Sequence, residues 1–352
     1  MHSERINNLK QYFKEKILIL DGAMGTMLQA NKLQEDDFRG AKFKKWNIDL
    51  KGNGDVLNIT NKKIIKDIHG KYLEAGADII LTNTFNSNNI SQSDYNLEEF
   101  ASEMNFNAAK IAREIADIYS DRNPEKLRFV AGAIGPTNKT ASISPRVDDP
   151  GFRDIYFDEL KGVYKECALS LIDGGVDLLI LETVFDTLNA KAGIFAINEI
   201  NKENSLEVPL MISGTLTDLS GRNLSGQTVE AFWNSVRHGN PISIGLNCSF
   251  GAENLTPAIQ ELSRVADTYV SAYPNAGLPN PMGEYDEKPE KTASLVGEWA
   301  KEGIVNIIGG CCGSTPQHIE KIFKEVTKYS PRAIPKIKKT MKLSGLEPFG
   351  VI

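Results

Sequence analysis

The sequence predicts a (β/α)8 barrel (TIM barrel), a single α/β domain over residues 1–330 followed by a basic, linker-like tail over residues 331–352. Two observations carry this. Eight short β-rich runs punctuate the chain, and helical periodicity fills the intervals between them. Eight alternations of strand and helix read as a parallel sheet closed on itself, and the count of eight decides against an open doubly wound sheet. The length of 352 residues agrees, because closed barrels of this kind often exceed about 250 residues as one unit.

The runs are KILILDGA (16–23), ADIILTNT (77–84), RFVAGAIG (128–135), VDLLILET (176–183), VPLMISGT (208–215), ISIGLNCS (242–249), TYVSAYPN (268–275) and IVNIIGGC (304–311). Each begins apolar and mostly β-branched, as a strand covered on both faces should. In the first interval, the charged stretch 32–51 suggests an insertion or an extra hairpin. Val56–Ile59 reads as a minor strand or as a staple before a helix starting near Thr60. A helix is expected over Ile155–Ile172, where Leu160, Val163, Tyr164, Cys167, Ala168, Leu171 and Ile172 recur at spacings of three and four and Gly174-Gly175 stops it. Another starts with Thr315 as cap and Pro316 at its first position, then runs through Ile319, Ile322, Phe323 and Val326. In the tail, Arg332, Lys336, Lys338, Lys339 and Lys342 oppose Glu347 alone, a net 5 − 1 = +4. It reads either as an exposed docking arm or as a segment packed on the barrel flank.

Composition excludes several function classes. Hydrophobic residues at 41% and charged residues at 24% suit a folded globular chain, not a disordered one. A net charge of −6 without a basic block argues against nucleic acid or an anionic membrane as partner. No apolar run approaches the ~20 residues of a membrane span. Residues 1–16 lack the apolar stretch of a secretory signal, so the cytoplasm is the expected compartment.

In such barrels the chemistry sits at the carboxyl ends of the strands. Three of the four cysteines close strands: Cys248 the sixth, Cys311 and Cys312 the eighth. Closure can bring sulfurs 63 residues apart in sequence around one ion, and three thiolates suit Zn2+. The competing reading is three small buried hydrophobes, which is the expectation for Cys167 on the apolar face of its helix. No fourth cysteine completes a structural site. His318 lies six residues, about 9 Å, further along a departing helix, and His2, His69 and His238 fall on a terminus or in helices. Asn275, at the end of the seventh run, is the closest neutral ligand, or else a turn residue. Zn2+ with three thiolates carries 2 − 3 = −1, a poor acid for activating water but suited to taking a substrate thiol and keeping its sulfur nucleophilic. Alkyl transfer to sulfur is the expected reaction.

The substrate's other end needs partners too. Asp21-Gly22-Ala23-Met24-Gly25-Thr26 opens a helix whose N–H groups can receive a carboxylate. Glu182 can accept an ammonium group with Asp21 as helper, or both acids can serve as supporting or capping groups. GGCCGS (309–314) resembles a phosphate nest, but no Lys follows as in a P-loop. No Lys ends a strand, which disfavours a Schiff-base aldolase. The loop 215–227 is a lid, a partner contact or a solvated loop.

LDGAMGTML (20–28), NTFNSN (83–88), GPTNKTASISP (135–145), SGTLTDLSGRNLSGQ (213–227), GLNCSFGAE (245–253), YPNAGLPN (273–280) and GGCCGSTPQHI (309–319) resemble the homocysteine-binding, N-terminal module of cobalamin-dependent methionine synthase, of the homocysteine S-methyltransferase family. The resemblance spans nearly the whole chain. It implies a zinc barrel that delivers homocysteine thiolate to the methyl group of methylcobalamin, giving methionine. It also implies Cys248, Cys311 and Cys312 as metal ligands, Asn275 as the ligand exchanged when homocysteine binds, and Asp21, Gly22 and Glu182 as substrate-binding residues. The catalytic nucleophile is then the zinc-bound thiolate of homocysteine, with no separate protein base. The family's usual chain continues into folate and cobalamin modules, and LSGLEPFGVI (343–352) is similar to the linker entering the first of them. The expectation is therefore a split enzyme, with the corrinoid on a separate folate- and cobalamin-binding chain. Relatives that take the methyl group from betaine or S-methylmethionine are the alternative, and a non-catalytic zinc-stabilised scaffold a remote one.

Overall fold

The structure, a computed structural model, describes residues 2–338 and 340–350. Lys339, one of the tail cations, and the terminal Met1, Val351 and Ile352 lie outside the described residues. All eight apolar runs supply strands: β1 (Leu18–Ile19), β2 (Ile79–Leu81), β3 (Phe129–Ile134), β4 (Leu178–Val184), β5 (Leu210–Gly214), β6 (Ser243–Gly251), β7 (Tyr269–Asn275) and β8 (Ile307–Ile308). They pair in parallel in the order β1-β8-β7-β6-β5-β4-β3-β2. The ring closes between β1 and β2 through a bridge from Leu20 to Ile79. There the Asp21 N–H donates to the Ile79 carbonyl at 3.0 Å and the Asp78 N–H to the Ile19 carbonyl at 2.8 Å.

Alternation along each strand sorts the apolar residues into two layers. Leu18, Ile79, Phe129, Leu178, Ile180 and Met211 fill the barrel interior. Their neighbours Ile19, Ile80, Val130, Leu179 and Ile212 face the surrounding helices. Phe157–Gly174 forms the expected helix, ended by Gly175 at φ 98°, a left-handed position that glycine takes without strain. Pro316–Val326 starts behind Thr315, whose cap pairs with the His318 side chain.

Three parts of the chain were unassigned or left open by the sequence. The polar-looking start is a helix, His2–Glu15. Its Leu9 and Phe13 are fully buried with the barrel interior, and Phe13 stacks on Tyr269 at 4.7 Å. The stretch 32–51 contains the short helix Glu35–Arg39 and no hairpin. There Arg39 ties the loop together by donating to the carbonyls of Trp46 at 2.6 Å and Ile48 at 3.0 Å. Of the two readings of Val56–Ile59, the strand does not form; the run leads into a helical turn, Leu57–Thr60, ahead of the helix Lys62–Glu74.

The tail lies against the barrel. Arg332 is buried, and its guanidinium donates to the carbonyls of Ser263, Ala266 and Thr268 beneath β7. The tail then forms a hairpin of β9 (Lys342–Ser344) and β10 (Pro348–Gly350). Ser344 Oγ donates to the Ala231 carbonyl at 2.5 Å, and the Leu346 carbonyl accepts from the Thr228 N–H at 3.1 Å. Arg222 pairs with Glu347. The loop 215–227 is thereby braced by the hairpin on one side and by Phe185, whose carbonyl accepts the Ser225 N–H at 3.1 Å, on the other. Among the described residues no helix is long and apolar enough to cross a membrane.

Candidate metal and substrate site

The carboxyl ends of β6 and β8 bring three thiols together: the Sγ atoms of Cys248, Cys311 and Cys312 all lie within 4.8 Å of one another. Cys248 and Cys312 are 3.9 Å apart and unbonded. Zn–S bonds of about 2.3 Å at tetrahedral angles put neighbouring sulfurs about 3.8 Å apart, so this spacing fits a common ion. Hydrogen bonds from the Cys248 and then the Cys311 thiol push Cys312 down. Cys311 is pushed up because its proton is shared with Cys248 and Cys312 and because it is buried. Of the three, Cys312 is lowered while Cys248 and Cys311 are raised.

Backbone pairing fixes this corner. The Cys311 N–H donates to the Pro274 carbonyl at 2.8 Å, the Gly310 N–H to the Asp21 carbonyl at 3.1 Å, and the Ala276 N–H to the Cys312 carbonyl at 2.9 Å. The amides of 309–311 are therefore spent on neighbouring strands, so this glycine-rich turn is no phosphate nest. Gly313 has φ 80°, and the Tyr285 side chain lies where its Cβ would go.

Asn275 ends β7, between the two cysteine-bearing strands. It is 2% exposed, and among the described residues its Oδ1 has no hydrogen-bond partner. A buried carbonyl oxygen without a donor is costly and calls for an explanation; a cation beside the thiols supplies one. His318 is occupied elsewhere: Nδ1 lies 3.0 Å from Thr315 Oγ1, and Nε2 2.9 Å from the Glu287 carbonyl. Cys167 is buried on its helix and donates to the Ser87 carbonyl at 3.4 Å.

Two further acids stand at the same mouth. Glu182, on β4, is 8% exposed and its pKa is raised to about 7 by burial, then by the negative charge of Cys312 and of Asp55. Asp21 is held by the Leu81 N–H at 3.0 Å, yet burial still raises it well above the ordinary carboxyl range, with Glu182 adding to the shift. Gly22 has no room for a side chain: a Cβ would lie 2.7 Å from the Tyr72 ring and 2.9 Å from Ser314 Oγ. The helix Met24–Ala30 that follows has no side-chain cap on its first turn.

Asp55 escaped the sequence reading. It is buried, accepts from Ser87 Oγ at 2.9 Å and the Asn86 N–H at 3.1 Å, and has a pKa raised to about 6 by burial. It sits in a loop outside the eight runs, where position along a strand carries no signal. Asn247 was also missed; its alternation with Gly245, facing the barrel interior, was the available clue.

Fold and site together define a barrel with a thiol-rich centre and a buried acidic pocket at its carboxyl mouth. The chain belongs to the homocysteine S-methyltransferase family, whose model matches residues 18–326. It is a methyltransferase, which sets the scaffold reading aside. The homocysteine methyltransferase MmuM from Escherichia coli shares the fold. Its metallated form is 23% identical with a TM-score of 0.68, the match covering 88% of this chain and 96% of that one. The apo form is 23% identical with a TM-score of 0.63, covering 89% and 97%.

Proposed function

We propose that the chain transfers a methyl group to homocysteine from methylcobalamin held on a separate folate- and cobalamin-binding chain, using Zn2+ bound by Cys248, Cys311 and Cys312. Asn275 Oδ1 is the neutral oxygen that completes the metal's ligands when substrate is absent. The observation carrying this is the meeting of three sulfurs within 4.8 Å on a rim that also holds a buried, unpartnered Asn275 oxygen. The metal supplies the charge that keeps a substrate thiol deprotonated at neutral pH.

The chain's own residues do the rest. Glu182 and Asp21 receive the substrate ammonium, which gives both acids a reason to ionise. Gly22 keeps the turn after β1 open, and the uncapped helix start receives the carboxylate. No separate protein base is assigned, because the metal would lower the thiol's pKa enough for its proton to pass to water. Support for the cobalamin donor comes from DGAMGT (21–26) and LSGLEP (343–348). All four cysteines are unpaired, as suits a reducing compartment such as the cytoplasm.

The test is a donor comparison with zinc-loaded protein and homocysteine. Free methylcobalamin should be demethylated slowly, while betaine and S-methylmethionine give no methionine. Rapid turnover with either small donor would replace the corrinoid by that donor.

A further inference from the structure

We infer that Asn247 is a positioning residue that holds Glu182 and Cys248 in their working orientations by clamping a strained turn in β4 to a broken end of β6. The inference rests on Glu182 and Cys248 being substrate and metal contacts.

In β4, Leu178 and Ile180 face the barrel interior, so alternation sends Glu182 inward as well. The next residue, Thr183, has φ 54°. A β-branched residue stays in that region only where its surroundings impose it. The strand register slips there, between Leu181 and Val184. In β6, Ile244 and Leu246 face the helices, so unbroken alternation would turn Cys248 outward, away from Cys311. Instead Cys248 and Ser249 take φ 62° and 59°, and the register slips between Asn247 and Gly251. Each strand is therefore bent beside the residue that carries its chemistry.

Asn247 joins the two bends. It is fully buried. Its Oδ1 accepts the Thr183 N–H at 3.1 Å and the Ser213 hydroxyl at 2.6 Å, and its Nδ2 donates to Thr183 Oγ1 at 2.8 Å. The Thr183 N–H can only donate, so the amide orientation is fixed. One side chain thereby stabilises the left-handed Thr183 and anchors the backbone immediately before Cys248.

The test reads binding, so it does not depend on the methyl donor. Zinc affinity is measured by chelator competition and homocysteine affinity by calorimetry. Asn247→Ala should weaken each by about tenfold or more, the range expected when a supporting contact is lost. Glycine takes positive φ freely, so Thr183→Gly alone should change both by no more than about twofold. In the Thr183→Gly background, Asn247→Ala should cost homocysteine much less but cost zinc the same, because Cys248 still loses its anchor. An equal homocysteine cost in both backgrounds overturns the inference, as does an Asn247→Ala protein with unchanged constants. If Asn247→Ala does not fold, Thr183→Val serves: homocysteine should weaken severalfold with zinc unchanged, and no change refutes the clamp. Glu182→Gln and Cys248→Ala are run alongside. If those two also alter nothing, the reading of the site itself fails.

Discussion

Replacing Glu182 by Gln keeps the side chain's shape and removes its charge. In the protein alone burial, the largest cause, raises this carboxyl to about 7, so ionising it near neutral pH costs little. A buried hydrogen bond between an ammonium and a carboxylate is worth about 1.5–3 kcal/mol. The variant should therefore lose about 2 kcal/mol of homocysteine binding, close to a 30-fold rise in Kd. The informative control is 4-mercaptobutanoate, which keeps the thiol and carboxylate but lacks the amino group. Calorimetric titration of zinc-loaded protein should show that ligand unaffected, with zinc content unchanged. The pH sign follows. Glu182 must ionise to hold the ammonium, so the preference for homocysteine over the analogue should fall as pH drops below about 7, and it should be flat in the variant. Equal weakening of both ligands would show that Glu182 does not touch the amino group.

Cys311→Ala should lose bound zinc, by metal analysis, and methyl transfer together; retained activity would remove Cys311 from the mechanism. Asp55→Asn keeps the acceptor that serves both Ser87 and Asn86, since both bonds go to Oδ1. The folded pKa of Asp55 is raised from 3.8 to about 6. Its contribution is thus fully present below the unfolded value and lost as pH rises through the folded one. Across that window the metal-free wild type should lose about 3 kcal/mol relative to the variant in urea unfolding; parallel pH profiles would refute the burial argument. Arg332→Ala strips donors from the carbonyls of Ser263, Ala266 and Thr268. It should cost about 3 kcal/mol or more of stability while leaving homocysteine Kd unchanged; an unaltered melting temperature would refute the buttress.

The barrel was legible because a strand covered on both faces must be apolar throughout, and eight such runs leave few closed arrangements. The helices with written punctuation, Gly175 after one and Thr315-Pro316 before another, were legible for the same local reason. The parts that were not legible owe their structure to tertiary packing. The N-terminal helix is mostly polar, and only Ile6, Leu9 and Phe13 at helical spacing betray the side that meets the barrel floor. The segment 32–51 is ordered by Arg39 reaching forward to carbonyls, a bond with no periodic signature. The tail's charge suggested an exposed arm as readily as a packed one, and burial of the single Arg332 decides between them.

The site was legible at the level of strand ends and illegible at the level of aim. Strict alternation in β6 would separate Cys248 from Cys311, and what turns it is strain stored at φ 62°, held by contacts to two other strands that no local pattern encodes. The electrostatics have the same logic. Burial raises Asp21, Asp55 and Glu182 above their ordinary values, and the charge of Cys312 adds to the shift at Glu182. A fold that sets so many acidic groups in one mouth gives up stability unless cations arrive. On the proposed reading, two cations of different kinds would answer that arrangement: a metal for the sulfurs and an ammonium for the carboxyls. Homocysteine would bring the ammonium on the same molecule as the thiol, so its two ends would satisfy the two halves of the site at once, and a thiol lacking the amino group would satisfy only one.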